Sequence, residues 1–325
     1  MKHIFVLGLC AGALFAQGDP LIISANYTGV RFVPVAPGQV TTIFVTGIGN
    51  VTERVSAASV PLPATLGGIV ATLIQIGSSV PAPIMAVFPF HPCVNTELPI
   101  CPSITAITLQ IPFELNIPTP EAPPLPAYLQ ISDVAGHKAA VVLNQQYDAI
   151  HVLRSTDTIL DGASATTVPF GGAVTHSDGT PVDALHPGQT GEELVMYAVG
   201  LGLTAPLVPT GSASPSPLVR TVETVTLNFD YRPNAPPSPA YEASSGDPPP
   251  ISVPAFVGLT PGFVGLYQVN FTVPAAPAGL PPCVNSARVG GWRQLVRICV
   301  HNLTVTLTGA NSFDGVAICV GPAAI

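Results

Sequence analysis

Short runs rich in Val, Ile, Thr, Phe and Leu, each broken by Gly or Pro, recur from one end of the chain to the other. Period-2 alternation over about four to eight residues places apolar side chains on one face of an extended segment. The pattern therefore predicts strands at 41–46, 69–76, 104–111, 128–132, 139–143, 193–199, 221–229, 266–273, 295–300, 303–308 and 316–320. Outside the first 16 residues no segment sustains a helical period, so the expected fold class is all-β. The charge-free stretch 56–96 has the apolarity of a membrane segment, but six prolines, Gly67-Gly68 and Gln75 interrupt it, and it reads as buried strands.

Two sets of segments repeat in order. Pro37-Gly38-Gln39, a β-rich run and Gly47-Ile48-Gly49 are echoed by Pro187-Gly188-Gln189, a β-rich run and Gly200-Leu201-Gly202. Further on, Ile107-Thr108-Leu109-Gln110-Ile111-Pro112 is echoed by Val269-Asn270-Phe271-Thr272-Val273-Pro274. The expected architecture is two tandem Ig-like β-sandwich domains after a signal peptide, with 1–16 as the signal, 17–150 as the first domain, and 151–325 as linker and second domain. Pro112 and Pro274 should end their ladders, because proline has no N–H to donate. Asp178-Gly179 and Asp314-Gly315 are expected in hairpin turns. The proline-rich stretches 118–126 and 233–250 are expected as surface connections.

Lys2-His3, the apolar run 4–15 and a small-residue site before Gln17 have the form of a secretory signal, which places the chain in a secreted, periplasmic or cell-surface setting. Cys10 follows Leu9, whereas a lipidation signal has a small residue there. Beyond the signal stand Cys93, Cys101, Cys283, Cys299 and Cys319, all candidates for disulfides in an oxidising compartment. Proximity favours Cys93 with Cys101, and the pairing among the other three stays open. Only 9% of residues are charged and the net charge is −8, which leaves no cationic footprint for nucleic acid or an anionic membrane.

The segment Gly258-Leu259-Thr260-Pro261-Gly262-Phe263-Val264-Gly265-Leu266-Tyr267-Gln268-Val269-Asn270-Phe271-Thr272-Val273-Pro274 closely resembles the signature of the Solibacter-type C-terminal domain of secreted acidobacterial proteins. Leu66-Gly67-Gly68-Ile69, Ala82-Pro83-Ile84-Met85, Asp178-Gly179-Thr180, Gly191-Glu192 and Tyr197-Ala198-Val199-Gly200-Leu201-Gly202 agree with it in order, so the resemblance spans roughly 34–320. The Pro-Gly, strand, Gly-x-Gly pattern is also similar to Ig-like IPT/TIG modules. The resemblance implies a secreted β-sandwich module, often at the end of larger extracellular proteins, with no catalytic residues to transfer. The 93–101 insertion, the 233–250 loop and the cysteine-bearing C-terminal hairpins depart from the family pattern.

No nucleophile elbow, zinc-protease helix, phosphate-binding glycine loop or EF-hand loop occurs in the sequence. His91 beside Cys93 has no further zinc ligands in reach by sequence. Glu192 and Glu193 should point to opposite faces, and Asp157, Asp161, Asp178 and Asp183 lack calcium-loop spacing and read as turn residues. Trp292, the lone tryptophan, is a candidate for stacking on a sugar or anchoring a partner. Asn26, Asn50, Asn270 and Asn302 begin Asn-x-Thr sequons, which reflect strand threonines. The expected function is a non-catalytic structural or interaction module with no cofactor and no metal, whose partner is an extracellular protein or glycan. The alternatives are a carbohydrate-binding or adhesin-like module and, less favoured, a β-rich secreted hydrolase.

Overall fold

Strand Lys138–Gln145 buries every second side chain along its length, so one face seals a core and the other meets water. The same logic runs through the computed structural model, which describes residues 20–25, 28–29, 33–49, 51–90, 103–119, 125–154, 157, 174–239, 251–288 and 297–321. Among these the protein is all-β with no helix, and its sheets pack against one another as in β-sandwiches.

The first sheet runs, in hydrogen-bonded order, Thr28–Gly29, Leu21–Ala25, Val40–Thr46, Ile104–Gln110, Ile84–Phe90 and Val55–Ser56. The second runs Val33–Val35, Lys138–Gln145, Ala127–Asp133, Ile69–Gln75 and Thr65–Leu66, with Ser78–Pro81 also on Ile69–Gln75. Between them lies a core that includes Ile43, Val45, Leu73, Ile107, Leu109, Leu129 and Ile131. A third sheet runs His151–Val152, Glu193–Val199, Tyr267–Thr272, Phe256–Leu259, Arg220–Thr221 and Thr204–Ala205, with Val174–Thr175 also on Glu193–Val199. It faces a fourth, Ile251–Ser252, Thr226–Asp230, Leu303–Thr308 and Phe313–Ile318, across a second core containing Leu194, Met196, Tyr267, Phe271, Leu227, Val305 and Leu307. Strands Val284–Arg288 and Arg297–Val300 form a separate ribbon.

The repeated sequence segments occupy matching places in the two halves. Val40–Thr46 pairs antiparallel with Ile104–Gln110, and Glu193–Val199 pairs antiparallel with Tyr267–Thr272. The register agrees too: Leu109 faces Thr41 and Gln110 faces Val40, while Phe271 faces Leu194 and Thr272 faces Glu193. A shift of 153 residues on one strand and 162 on the other carries the first set onto the second. Both Gly-x-Gly corners hold positive φ at Gly47, Gly49, Gly200 and Gly202, the region open to glycine. Gly200 and Gly202 also run so close to residues 147–149 that a Cβ would lie 2.1 Å from Ala149 O and Tyr147 O.

A buried hydroxyl ties down each corner. Thr105 Oγ1 donates to Ile48 O at 2.9 Å, and the Tyr267 hydroxyl donates to Gly202 O at 2.5 Å. Thr105 and Tyr267 are equivalent under the 162-residue shift, and their acceptors differ by one place. Burial holds the Tyr267 hydroxyl pKa well above the usual phenol value, so it stays a donor.

The ladders stop at Gln110 and Thr272, short of Pro112 and Pro274, as proline chemistry requires. Two expectations need correction. The segment 221–229 is not one strand: Arg220–Thr221 belongs to the third sheet and Thr226–Asp230 to the fourth, and the chain crosses between them at 222–225 although Thr and Val dominate that stretch. Asp314-Gly315 is not a turn but lies inside strand Phe313–Ile318, where glycine is needed because a Cβ would sit 2.5 Å from Val305 O.

The halves meet through a specific seam. Phe113 follows the first sheet's strand Ile104–Gln110 yet joins the second core, and its N–H donates to Thr210 Oγ1 at 2.9 Å. The Gln110 amide accepts from Gly211 N at 2.7 Å and donates to Gly38 O at 3.2 Å, while Leu62 N donates to Gly211 O at 2.8 Å. Val40, Leu153 and Val199 pack together beside Met85, Tyr197 and Leu266. If the two hydroxyls anchor equivalent corners, Thr105→Val and Tyr267→Phe should each lower unfolding free energy by about 1–3 kcal/mol, because each strands a buried carbonyl. Urea denaturation checks this, and a loss in only one variant would break the equivalence.

Candidate functional site

Ionic side chains are scarce in this protein, and most of those described are committed to its own backbone. The densest group lies where residues 147–154 and Asp157 meet the hairpin of strands Leu303–Thr308 and Phe313–Ile318. Asp148, 1% exposed, accepts from Ala310 N at 2.6 Å, Asn311 N at 3.0 Å, and both Ser312 N and Ser312 Oγ at 2.8 and 2.6 Å. The amides of 310–312 are thus closed by one carboxylate, that of Gly309 donates to Ser312 O at 2.9 Å, and Gly309 is required because a Cβ would fall 2.6 Å from the carboxylate.

Three residues on, His151 stands between two carboxylates, with Nε2 2.8 Å from Asp157 Oδ2 and Nδ1 3.1 Å from Asp314 Oδ2. Arg154 Nη2 donates to Asp314 Oδ1 at 2.6 Å and to Gly315 O at 2.9 Å, and Asp314 Oδ2 accepts from Val152 N at 2.9 Å. Burial alone would lower the His151 pKa, but the bonds to Asp157 and Asp314 outweigh it and the net shift is upward. Burial opposes the shift at Asp314, while His151 and Arg154 hold its carboxyl below the usual range.

A second group surrounds His176. Its Nδ1 lies 2.6 Å from Glu192 Oε1 and its Nε2 3.1 Å from His186 O, and Glu192 Oε2 accepts from Gln189 N at 2.7 Å. Burial again acts downward on His176, and Glu192 raises it on balance. Both ring nitrogens are engaged. Glu193 bonds instead to Asn270 Nδ2 at 3.0 Å, so the two glutamates do not form a carboxylate pair. Asp178 accepts from Thr180 N, and Asp183 from Leu185 N and His186 N, which is turn chemistry. Asp133 accepts from the amides of Gly49, Ala135 and His137 and from the His137 ring. Burial works against it, but these bonds hold its pKa at about 2. Among the described residues no three or more His, Cys, Asp or Glu side chains gather as metal ligands.

Among the described residues a recess opens to solvent. It lies where the chain passes twice between the third and fourth sheets, walled by residues 220–225 on one crossing and by Val253, Pro254 and Val257 on the other. Its volume is about 160 Å³. Pockets for whole small molecules run about 300–1,000 Å³, so this space suits one or two side chains of a partner. Val222 and Val253, 54% and 79% exposed, rim it, with Ile251 also exposed just upstream. Arg220 forms part of the wall, with its guanidinium stacked 4.8 Å from the Phe256 ring centre.

Of the cysteines singled out by sequence, Cys283 and Cys319 form a disulfide with Cα atoms 5.5 Å apart, settling one pair among the C-terminal three. Closing a loop over 36 residues stabilises by about 3–4 kcal/mol in the chain-entropy estimate. The backbone of Cys299 lies in strand Arg297–Val300. Cys93, Cys101 and Trp292 lie outside the described residues, as do the segment 1–16, His91 and Asp161. Asn302 is 1% exposed, and its amide is spent on Pro281 O, Val320 O and Val320 N. Its sequon is therefore a structural position. Sequence reasoning passed over Asp148, His151 and Arg154. Their signal was the clustering of charge between two repeats in a chain otherwise poor in it.

No family model matches the chain, and no curated protein matches it. The resemblance to the Solibacter-type domain accordingly rests on the quoted motifs themselves. No helix among the described residues is long and apolar enough to cross a membrane.

The histidine environments fix a pH dependence. A His raised on folding stabilises fully below its unfolded pKa of about 6.5, and that contribution is lost as pH rises through the folded value. His151 and His176 act in this sense, whereas His301, pushed down by burial, costs stability as pH falls below about 6.5. The urea midpoint should fall as pH rises above about 6.5 and through the raised folded values of these two groups, and His151→Gln should flatten that fall. An unchanged slope in the variant would contradict the assignment.

Proposed function

We propose that this chain is an exported, non-catalytic interaction module, built of two tandem Ig-like sandwiches over 17–150 and 151–325, that holds a shallow recess of mixed polarity with exposed valines at its rim for an extracellular protein partner. The setting would be secreted, periplasmic or at the cell surface, and the signal-like first 16 residues and the Cys283–Cys319 disulfide both favour an oxidising compartment. The matching strand register of the two halves supports the tandem reading.

The observation that carries the functional reading is the recess between residues 220–225 and 253–257. Val222 and Val253 stand exposed beside a space sized for side chains, on segments held by strands at either end. A rigid scaffold that displays apolar connections is a common basis for protein recognition, with a few side chains carrying most of the affinity. The polar groups that could serve hydrolysis, at His151 and His176, are instead bonded into turns and strand edges.

The test is a cross-linking pull-down from the native cell envelope with the oxidised chain beside Val222→Glu/Val253→Glu. The account expects a specific protein captured by the wild type and lost at least tenfold by the variant, about 1.4 kcal/mol or more of binding, with melting unchanged. Equal capture by both would remove the recess from the function. A glycan array that binds the wild type and not Trp292→Ala would favour the carbohydrate-binding alternative.

A further inference from the structure

We propose that the side-chain cluster Arg154, Asp314, His151 and Asp157 is an edge guard, which occupies the outer rim of strand Phe313–Ile318 and keeps a second copy of this chain from adding a strand there. An open sheet edge presents unpaired N–H and C=O groups, and proteins blunt such edges by shortness, proline or charge. The four larger sheets show all three devices. Their terminal strands Thr28–Gly29, Val55–Ser56, Thr65–Leu66, His151–Val152, Thr204–Ala205 and Ile251–Ser252 span two residues each. Val33–Val35 carries Pro34 at its centre, and Ser78–Pro81 ends in proline.

Strand Phe313–Ile318 is the exception. Its six residues pair along their whole length with Leu303–Thr308 on one side, and among the described residues it is the last strand of its sheet. It is also apolar, with Phe313 47% exposed. On its outer side the segment 150–154 lies against it and bonds through side chains, without a backbone ladder among the described residues. Ser312 Oγ accepts from Ile150 N at 2.8 Å, Asp314 Oδ2 accepts from Val152 N at 2.9 Å, and Arg154 Nη2 donates to Gly315 O at 2.9 Å. The guanidinium thus takes a carbonyl that an incoming strand would need. His151 and Asp157 fix the arrangement, since Asp157 Oδ2 accepts from Arg154 N at 2.6 Å and binds the His151 ring. A strand docking here would have to break the Arg154–Asp314 pair and bury its charges without compensation, which is costly.

The experiment compares oxidised wild-type chain with Arg154→Ala/Asp314→Ser and with the isosteric Asp314→Asn, by sedimentation velocity over a hundredfold range of concentration. The double variant should self-associate at least about tenfold more tightly than the wild type, and Asp314→Asn should shift in the same direction to a smaller degree. Adding Ala317→Pro to the double variant should reverse the association, because residue 317 turns its N–H to the same side as residue 315. A folded double variant that sediments like the wild type would overturn the proposal, as would association that Ala317→Pro leaves intact. If the double variant does not fold, Asp314→Asn decides alone, and failure of both to fold would make the cluster a folding requirement and not a guard.

Discussion

Strand pair Val40–Thr46 and Ile104–Gln110 is buried on both faces, and the rest of the molecule is arranged around that fact. Ile43, Val45, Ile107 and Leu109 close the first core on one side. On the other, Val40 packs with Leu153 and Val199, Phe44 with Ile104 and Ala106, and the hydroxyls of Thr42 and Thr108 bond to each other at 3.0 Å. A sheet with one wet face needs only one neighbour; one with two dry faces needs a partner on each. The second half of the chain supplies part of that cover, and Phe113 reaches across into the second core.

The low charge content follows from the same constraint. Groups buried between layers must be hydrogen-bonded, and neutral threonine and glutamine do this at far lower desolvation cost than ions. Gln110 at the seam and Thr105 and Tyr267 at the glycine corners are cases of this. Several of the ions that are used each satisfy more than one backbone group, as Asp148 does for the amides of 310–312 and Asp133 for the turn at 133–137. Such bonds to charged groups contribute more than neutral ones.

Local alternation made much of the fold legible in the sequence. Glu193–Val199 and Leu303–Thr308 appear with the bounds that the pattern predicts, and the repeated motifs lie in matching register. The break within 221–229 was hidden because the Thr, Val, Leu and Phe residues on either side of Glu223 read as one continuous run of strand formers. Gly315 misled for a related reason: Asp-Gly suits a turn, but here glycine admits a neighbouring backbone. The clamp around Asp148, His151 and Arg154 was illegible because its bonds span about 160 residues, a proximity that only the packed sheets create. The recess has the same origin, since its two walls come from separate crossings.

The central claim is that a sheet dry on both faces joins the two cores into one cooperative body. Hydrogen exchange by mass spectrometry, under conditions where closing is slower than exchange, measures this directly. The account predicts that peptides covering Val40–Thr46 and Glu193–Val199 exchange together, with one shared rate of opening. Separate rates, with one core opening while the other stays protected, would contradict it.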